Sequence, residues 1–244
     1  MNKDFTIGID VGGTNVKAAK VRHKSLLSEV LEYRTPDNLD SFNELIRTIV
    51  KSLSSEDVET HVGLSIPGDV DYFKQSIYLC PNLPWLTEGG ISNIMEMRNV
   101  FIANDADAAL FGEIVINDYS DRSLALITLG TGIGSSYCVA GISTWDANLS
   151  SELGHTKVAS QNRQCHCGNY DCLEAYFSGW SLLKTAYDKG LKIENIEVLF
   201  GLADNNPTAK DIIYSSVGYL AVGIANLVNT TGITTIILSG KISK

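Results

Sequence analysis

The stretch FTIGIDVGGTNVKAAKV, residues 5–21, decides the fold class of this chain. Two apolar alternating segments flank a glycine-rich turn, which predicts a strand, a tight turn and a returning strand. Gly12 and Gly13 permit a close backbone approach, so several N–H groups can converge on a phosphate, and Thr14 adds a hydroxyl donor. Asp10 could hold Mg²⁺ directly or through water. Taken alone, the turn is either a phosphate loop or a plain hairpin with glycine at its tip.

A second unit of the same kind occurs near residue 130. The apolar strand candidate LALITLG (124–130) runs into a turn that contains Gly130, Thr131 and Gly132, and a β-like segment returns from that turn. Two such units, each followed by strand and helix material, predict two similar α/β halves with a cleft between them. Paired loops of this kind could hold the phosphates of a nucleotide from two sides.

Two rival nucleotide motifs are disfavoured. The P-loop pattern G-x-x-x-x-G-K-[ST] does not occur in the sequence. The stretch GTGIGS (130–135) has the spacing of a dinucleotide fingerprint, but that fingerprint must open a helix, and the β-like SSYCVAG follows here. We therefore interpret the two Gly-Thr turns as phosphate loops of a different class.

The composition is that of an acidic globular protein. The 244 residues carry a formal net charge of −9 without clusters of Lys and Arg, which disfavours nucleic acid and anionic membrane surfaces as partners. No apolar run approaches the roughly 20 residues that span a bilayer, and residues 217–228 are expected to form a buried helix. The N-terminus is too polar for a secretory signal, so we expect a cytoplasmic location. Five cysteines without such a signal favour free thiols or metal ligands over disulfides, with Cys80 and Cys138 as buried small residues.

Apolar residues at helical spacing predict three helices, over residues 39–53, 106–116 and 207–230. Asp40 or Ser41 could cap the first helix, with Glu44 placed for a capping box. Pro207 suits the first turn of the long helix. The segment ITTIILSG (233–240) predicts a last strand.

A polar pair ends a further strand candidate. In IANDADAAL, Asn104 and Asp105 stand at the strand tip, at the point where a helix begins. One interpretation is a helix cap, because Asn and Asp are the preferred residues there. The other is a general base, because a carboxylate at a strand tip can take the proton from a hydroxyl that attacks a γ-phosphate. Asp107 is expected at the surface or as compensation for the helix dipole.

The segment 152–174, ELGHTKVASQNRQCHCGNYDCLE, predicts a metal site. Three thiolates and one imidazole make a closed tetrahedral zinc site, and a closed site leaves no position for water, so the metal is expected to be structural. The predicted ligands are His155, Cys165, Cys167 and Cys172. His166 could replace His155, but it sits between two ligands and should project away. Glu152 and Glu174 are either surface acids or substrate-binding groups whose positions the zinc would fix.

These segments together resemble a known family. DVGGTN, PNLPW, ANDADAAL, LGTGIG, ELGH and CHCGNYDCLE occur in the order seen in the ROK family of bacterial sugar kinases and related repressors, over about residues 5–240. The resemblance implies the α/β actin-like ATPase (ribonuclease H-like) fold, in which two α/β domains close over ATP and a hexose. We assign the domains to residues 1–112 and 113–244, the second apparently truncated at its C-terminal end.

The resemblance also implies roles for individual residues. Asp105 would be the catalytic base for a sugar hydroxyl, usually the one on C6. The residues that hydrogen-bond the sugar would be Asn82, Asn104, Glu152, His155 and Glu174. The phosphate segments would be Asp10, Gly12, Gly13 and Thr14 in the first half, and Gly130, Thr131 and Gly132 in the second. The implied cofactors are ATP, Mg²⁺ and structural Zn²⁺, the implied substrate is glucose or a related hexose or N-acetylhexosamine, and the family habit is a homodimer.

The sequence departs from the family pattern at four places. Asp171 stands where a glycine is usual, and the stretch GISTWDANLSSELGH (141–155) is slightly short and lacks the usual Gly-Glu, so sugar specificity could be unusual. LSGKIS (238–243), with Lys241, replaces the usual glycines near adenosine, and the chain ends before the last family elements. A catalytically impaired sugar-binding module is therefore the alternative. A repressor is disfavoured because no helix-turn-helix segment precedes the first loop.

Overall fold

The computed structural model describes residues 5–54, 60–89 and 99–243. The chain divides into an N-terminal unit, residues 1–120 with 144–150, and a C-terminal unit, residues 121–143 with 151–244. The domain boundary drawn from the sequence at residue 112 falls inside a helix, Asp105–Asn117, which stays whole in the N-terminal unit.

The N-terminal unit is built on a mixed sheet. Its strands are β1 (Thr6–Val11), β2 (Asn15–Arg22), β3 (Ser25–Leu26), β4 (Leu31–Arg34), β5 (His61–Ile66) and β8 (Val100–Asn104). The order is β3-β2-β1-β5-β8, and β4 also pairs with β2. Strands β1 and β2 form the predicted antiparallel hairpin, whereas β1, β5 and β8 run parallel. The carboxyl ends of these three strands therefore lie at one edge of the sheet.

One face of this sheet is covered by α1 (Leu39–Leu53), as predicted. Phe42, Ile46 and Ile49 recur at helical spacing and pack in one core with the inward residues of β1. The predicted caps are wrong, because Asn38 is the N-cap and its side chain accepts from the amide of Ser41. Asn38 has the extended backbone that a cap requires, and the helix has already begun at the positions chosen from the sequence.

The remaining elements of the N-terminal unit lie near the strand ends. A small hairpin is formed by β6 (Asp69–Asp71) and β7 (Ser76–Leu79), and it is followed by α2 (Pro84–Gly89). Helix α3 (Asp105–Asn117) confirms the predicted helix to within one residue at each end.

On the sheet face opposite α1, a groove of about 700 Å³ is lined by small strand residues and by Phe101, Phe111 and Trp145.

The C-terminal unit repeats the same strand arrangement, which confirms the repeat seen in the sequence. Its sheet contains β9 (Leu124–Leu129), β10 (Ile133–Val139), β11 (Ile142–Ser143) and β12 (Thr235–Ser239), in the order β11-β10-β9-β12. Strands β9 and β10 are an antiparallel hairpin, and β12 is parallel to β9. Both units thus carry a hairpin whose first strand pairs with a later parallel strand.

Four helices complete the C-terminal unit in its described residues: α4 (Leu173–Tyr176), α5 (Gly179–Asp188), α6 (Ile196–Leu202) and α7 (Pro207–Thr231). Helix α7 confirms the predicted long helix, with Pro207 in its first turn. Gly223 lets it approach α4, because a Cβ atom there would stand 2.6 Å from the Leu173 side chain. By length and composition α7 is the one described helix that could cross a membrane, although core helices of soluble proteins pass the same test. Only 28% of its most apolar window is buried, and Val217 and Val222 are exposed, so the expectation of a buried helix over residues 217–228 is wrong.

Candidate active site and metal centre

Polar side chains gather at the carboxyl ends of the parallel strands in the N-terminal unit. Asp10 in β1 pairs with Ser65 in β5, whose hydroxyl donates to Asp10 Oδ1 at 3.0 Å. Asn104 ends β8 and pairs with Ile66, and Asp105 begins α3 immediately after it. Ligands of open α/β sheets bind outside such strand ends. The structure therefore brings Asp10, Asn104 and Asp105 into one candidate site.

Asn104 is held firmly in place. Its Oδ1 caps α3 by accepting from the amides of Ala106 at 2.9 Å and Asp107 at 3.2 Å, and its Nδ2 donates to Gly68 O at 3.0 Å. Its own amide donates to the Tyr72 hydroxyl at 3.0 Å. The cap interpretation is therefore correct for Asn104, and a second N–H on Nδ2 is the group that a sugar hydroxyl could accept from.

Asp105 carries a carboxyl group with a raised pKa at the strand tip. Solvent reaches its side chain, and its Oδ1 accepts from the amide of Ala106 at 2.8 Å. Desolvation by the surrounding protein, with added repulsion from the charges of Asp10 and Asp107, raises the pKa of Asp105 to about 6. A carboxylate with this pKa is ionised at neutral pH and still takes up a proton readily.

Asp107 is not a surface residue, but it does lie in the first turn of α3, where the alternative prediction placed it to compensate the helix dipole. Its side chain is 4% exposed and accepts from the Tyr72 hydroxyl and, at 3.4 Å, from Thr144 Oγ1. Burial and the bond to Asp107 raise the pKa of Tyr72 well above its usual range, so the hydroxyl stays protonated. Because Tyr72 also accepts from the Asn104 amide, Asp107 supports the strand tip from below. The local sequence ANDAD (residues 103–107) gave no indication that Tyr72 would be the partner of Asp107.

The first Gly-Thr turn is a tight loop that hydrogen bonds hold in place. The amide of Gly12 donates to Asn15 O at 2.9 Å, and a Cβ atom at Gly12 would stand 3.0 Å from that oxygen. Thr35 ties the loop to the next strand, since its hydroxyl donates to Gly12 O at 2.6 Å and its amide to Thr14 O at 2.8 Å. Gly13 and Thr14 are exposed, so their amides can meet a ligand.

A cavity of about 350 Å³ adjoins this loop. Its lining includes Gly13 and Thr14 of the loop, residues 34–37, Leu83 and Trp85. Asn82, exposed in the turn that precedes α2, lies next to this lining. The predicted sugar-binding Asn82 directly precedes Leu83, which lines this cavity together with the first Gly-Thr turn.

The second Gly-Thr turn lies between β9 and β10. The amide of Gly130 donates to Gly132 O at 3.1 Å, and the amide of Gly179, at the start of α5, donates to Gly130 O at 2.8 Å. Glu174 Oε2 accepts from the amide of Ile133 at 2.9 Å. Thr131 is exposed at the tip. Glu174, which the resemblance assigns to sugar binding, therefore also holds the second phosphate loop.

The four predicted metal ligands converge in the C-terminal unit. The ligand atoms of His155, Cys165, Cys167 and Cys172 all lie within 4.8 Å of one another. Cys167 Sγ and Cys172 Sγ are 3.7 Å apart, as are Cys165 Sγ and His155 Nδ1. A tetrahedral zinc ion with Zn–S bonds of about 2.3 Å requires S···S edges of about 3.8 Å. The donor set and its spacing therefore fit a closed zinc site.

The two histidines of this segment have separate positions. His155 turns Nδ1 toward Cys165, and its Nε2 lies 3.9 Å from Glu152 Oε2. His166 instead stacks on Trp180 with ring centroids 4.0 Å apart and an interplanar angle of 20°. The expectation that His166 projects away from the ligands is confirmed.

Asp171 is a residue whose role sequence reasoning missed. It has a left-handed backbone (φ 63°) and is 1% exposed. Its carboxylate accepts from the Tyr176 hydroxyl at 2.6 Å and from the amides of Gln161, Asn162 and Arg163. The Tyr176 hydroxyl and these amides lower the pKa of Asp171 to about 2. The departure from a usual glycine was the available signal, because glycine favours the same backbone region.

Comparison with known proteins identifies the family of the chain. The ROK family matches residues 6–244. Glucokinase from Streptomyces coelicolor is 29% identical over 209 residues, which cover 83% of this chain and 66% of that protein. The xylose repressor of Bacillus subtilis is 30% identical over 190 residues, which cover 74% of this chain and 48% of the repressor. This chain thus spans about two thirds of the first relative and about half of the second. Another relative is the N-acetylmannosamine kinase of Salmonella paratyphi B.

The structural comparison identifies the fold. The ROK hexokinase from Thermus thermophilus superposes with a TM-score of 0.79 and 26% identity, over 98% of this chain and 83% of that one. The α/β actin-like ATPase fold implied by the sequence is therefore confirmed. Because the family match extends over nearly the whole sequence, the chain is a member of the ROK family.

Proposed function

We propose that this chain transfers the γ-phosphoryl group of ATP to a hydroxyl group of a hexose, with Asp105 as general base. The observation that carries the proposal is the position of Asp105 at a strand end with a pKa raised to about 6. The similarity to a glucokinase and to a ROK hexokinase supports the choice of reaction. The sugar hydroxyl we propose is the one on C6 of glucose or of a related hexose or N-acetylhexosamine.

The chemistry follows from the strand-end geometry. Asp105 accepts the proton of the sugar hydroxyl while the hydroxyl oxygen forms a bond to the γ-phosphorus and the bond from that phosphorus to the ADP oxygen breaks. A Mg²⁺ ion bound with ATP would neutralise charge on the phosphates, and we propose Asp10, whose carboxylate lies at the end of β1, as the residue that would hold it. The exposed amides of the two Gly-Thr turns would donate to the phosphate oxygens.

The sugar-binding groups we propose are Asn82, Asn104, Glu152, His155 and Glu174. Structural zinc would bind His155 through Nδ1, so that Nε2 stays available to a sugar hydroxyl. The four ligands would hold zinc as a structural ion that fixes this segment, because a closed set of four protein ligands leaves no position for substrate. Glucose and N-acetylmannosamine are the first sugars to test, since relatives are named for both.

The test is release of ADP with ATP, Mg²⁺ and a panel of hexoses and N-acetylhexosamines. We expect turnover on one sugar and a loss of at least about a hundredfold in Asp105→Asn, because a positioned base contributes roughly 10²–10⁴ in rate. Asp204→Asn is the matched control, since Asp204 is an exposed aspartate in the C-terminal unit. Turnover that survives in Asp105→Asn would refute the role of Asp105.

A second candidate is a sugar-binding module without kinase activity. The similarity to a xylose repressor favours it, because that relative is not named as an enzyme. Binding of a hexose in calorimetry without ADP release on any sugar would select this candidate over the kinase.

We also propose a homodimer in the cytoplasm without nucleic-acid or membrane partners, in line with the net charge of −9 and the free thiols.

A further inference from the structure

The second phosphate loop is held by the segment that follows the metal ligands. Gly179 donates its amide to Gly130 O at 2.8 Å, and the amide of Trp180 lies 3.3 Å from Thr131 O. A Cβ atom at Gly179 would stand 2.9 Å from Gly130 O, so the two backbones are in direct contact. The first turn of α5 therefore packs directly on the backbone of the loop.

Glu174 holds the other side of the same loop. Its Oε2 accepts from the Ile133 amide at 2.9 Å and would stand 2.5 Å from a Cβ atom at Gly132. The indole Nε1 of Trp180 donates to Glu174 Oε1 at 3.4 Å. Trp180 thus reaches the phosphate loop through its backbone and also, by way of Glu174, through its side chain.

The same indole ring reaches the metal centre. It stacks on His166, which stands between the ligands Cys165 and Cys167. A metal ion bound to both cysteines would fix the backbone on each side of His166, and with it the surface on which the indole rests. Loss of the metal would release that surface. The contacts of Trp180 with the phosphate loop and with Glu174 are single hydrogen bonds, each of which is weak.

We propose that Trp180 is a positioning residue that makes the order of the second phosphate loop depend on the metal centre. The proposal rests on the proposed role of Gly130–Gly132 in binding the phosphates of ATP. With metal bound, His166 holds the indole, and the indole and the α5 amides hold the loop in one conformation. Without metal, the loop must be ordered by the nucleotide itself, which weakens ATP binding because that ordering opposes association.

The first test is hydrogen–deuterium exchange at the amides of residues 130–134 in the full chain, loaded with zinc or treated with a chelator. In the wild type we expect about fivefold faster exchange after zinc removal, the factor that corresponds to one hydrogen bond of average strength. Trp180→Leu should exchange at the faster rate even with zinc bound, and Trp180→Phe should keep the dependence because it can still stack. Tyr170→Leu is the control, since Tyr170 is a 52% exposed aromatic residue in the same metal-binding segment.

Tryptophan fluorescence gives an independent readout. The chain contains three tryptophans, and a change on zinc removal that Trp180→Phe abolishes belongs to residue 180. The zinc content of each variant is measured directly, so that lost metal is not mistaken for lost coupling. The proposal is overturned if zinc removal leaves the exchange of residues 130–134 unchanged, or changes it equally in the wild type and Trp180→Leu.

The kinase assay separates this proposal from the proposed function. If the coupling is correct, Trp180→Leu raises the KM for ATP about fivefold with zinc bound and changes kcat less. If ADP is never formed, the exchange data alone still decide the coupling. If ADP is formed with an unchanged KM for ATP in Trp180→Leu, the kinase survives and the coupling is refuted.

Discussion

Replacing Asp105 with asparagine should remove activity and at the same time stabilise the fold at neutral pH. The pKa of Asp105 is raised from its ordinary value of 3.8 to about 6, so the folded chain holds a proton more tightly than the unfolded chain does. Stability from this group is therefore fully present below pH 3.8 and is lost as the pH rises through about 6. Asparagine carries no charge and avoids this loss.

The size of the effect follows from the two pKa values. Each pH unit between them is worth about 1.4 kcal/mol, which sets an upper bound of about 3 kcal/mol at pH 8. Solvent reaches the Asp105 side chain, and screening of an exposed charge reduces the expected gain to about 1 kcal/mol. For a chain of this length, that gain corresponds to a rise in Tm of about 2–4 °C.

The assay is urea unfolding of wild type and variant from pH 4 to pH 8. The difference in unfolding free energy should grow in favour of Asp105→Asn between pH 4 and 7 and then level off. Asp204→Asn should show no such growth. The kcat of the wild type should fall as the pH drops through about 6, because protonated Asp105 is no base. If the difference in unfolding free energy between wild type and Asp105→Asn does not vary with pH, the raised pKa of Asp105 is refuted, whatever the activity of the two proteins.

Three other substitutions test separate contacts. Gly179→Ala should raise the KM for ATP, because the new Cβ atom would stand 2.9 Å from a carbonyl of the second phosphate loop, whereas Gly201→Ala, with no atom within 4 Å, should not. Tyr72→Phe should lower the unfolding free energy in urea by about 1–3 kcal/mol, because buried Asp107 loses a donor. Asp171→Ala should speed zinc release to a chelator by about tenfold or more, since the residues that orient ligands contribute such factors; an unchanged rate would contradict its supporting role.

Local patterns were enough to predict the large elements of both units. Helix α1 is found over the predicted residues 39–53 because its apolar spacing matches the buried face. Both Gly-Thr hairpins occur where the strand–turn–strand pattern placed them. The cluster of candidate metal ligands was predictable for the same reason, since four donors within 18 residues of sequence can meet with little help from the rest of the chain.

The features that the sequence did not reveal depend on contacts between residues that are distant in the chain or that meet only after folding. Asp107 is buried because Tyr72, which lies 35 residues earlier, brings a hydroxyl to it. Glu174 supports the second phosphate loop across 41 residues, and nothing in the local pattern distinguishes that role from sugar binding. Asp171 departs from the usual glycine, but only the folded segment shows the three amides that its carboxylate accepts from.

The two halves share a topology and yet support their phosphate loops by different means. In the N-terminal unit, Thr35 of the neighbouring chain segment ties the loop through its hydroxyl and amide, and the four candidate zinc ligands are all distant from it in sequence. In the C-terminal unit, the loop is held by Gly179, Trp180 and Glu174, all within eight residues of the last metal ligand, Cys172. Loss of zinc should therefore loosen the second loop and leave the first unchanged. Exchange at residues 12–15 is the internal reference, and equal loosening of both loops would indicate general unfolding in place of a local coupling.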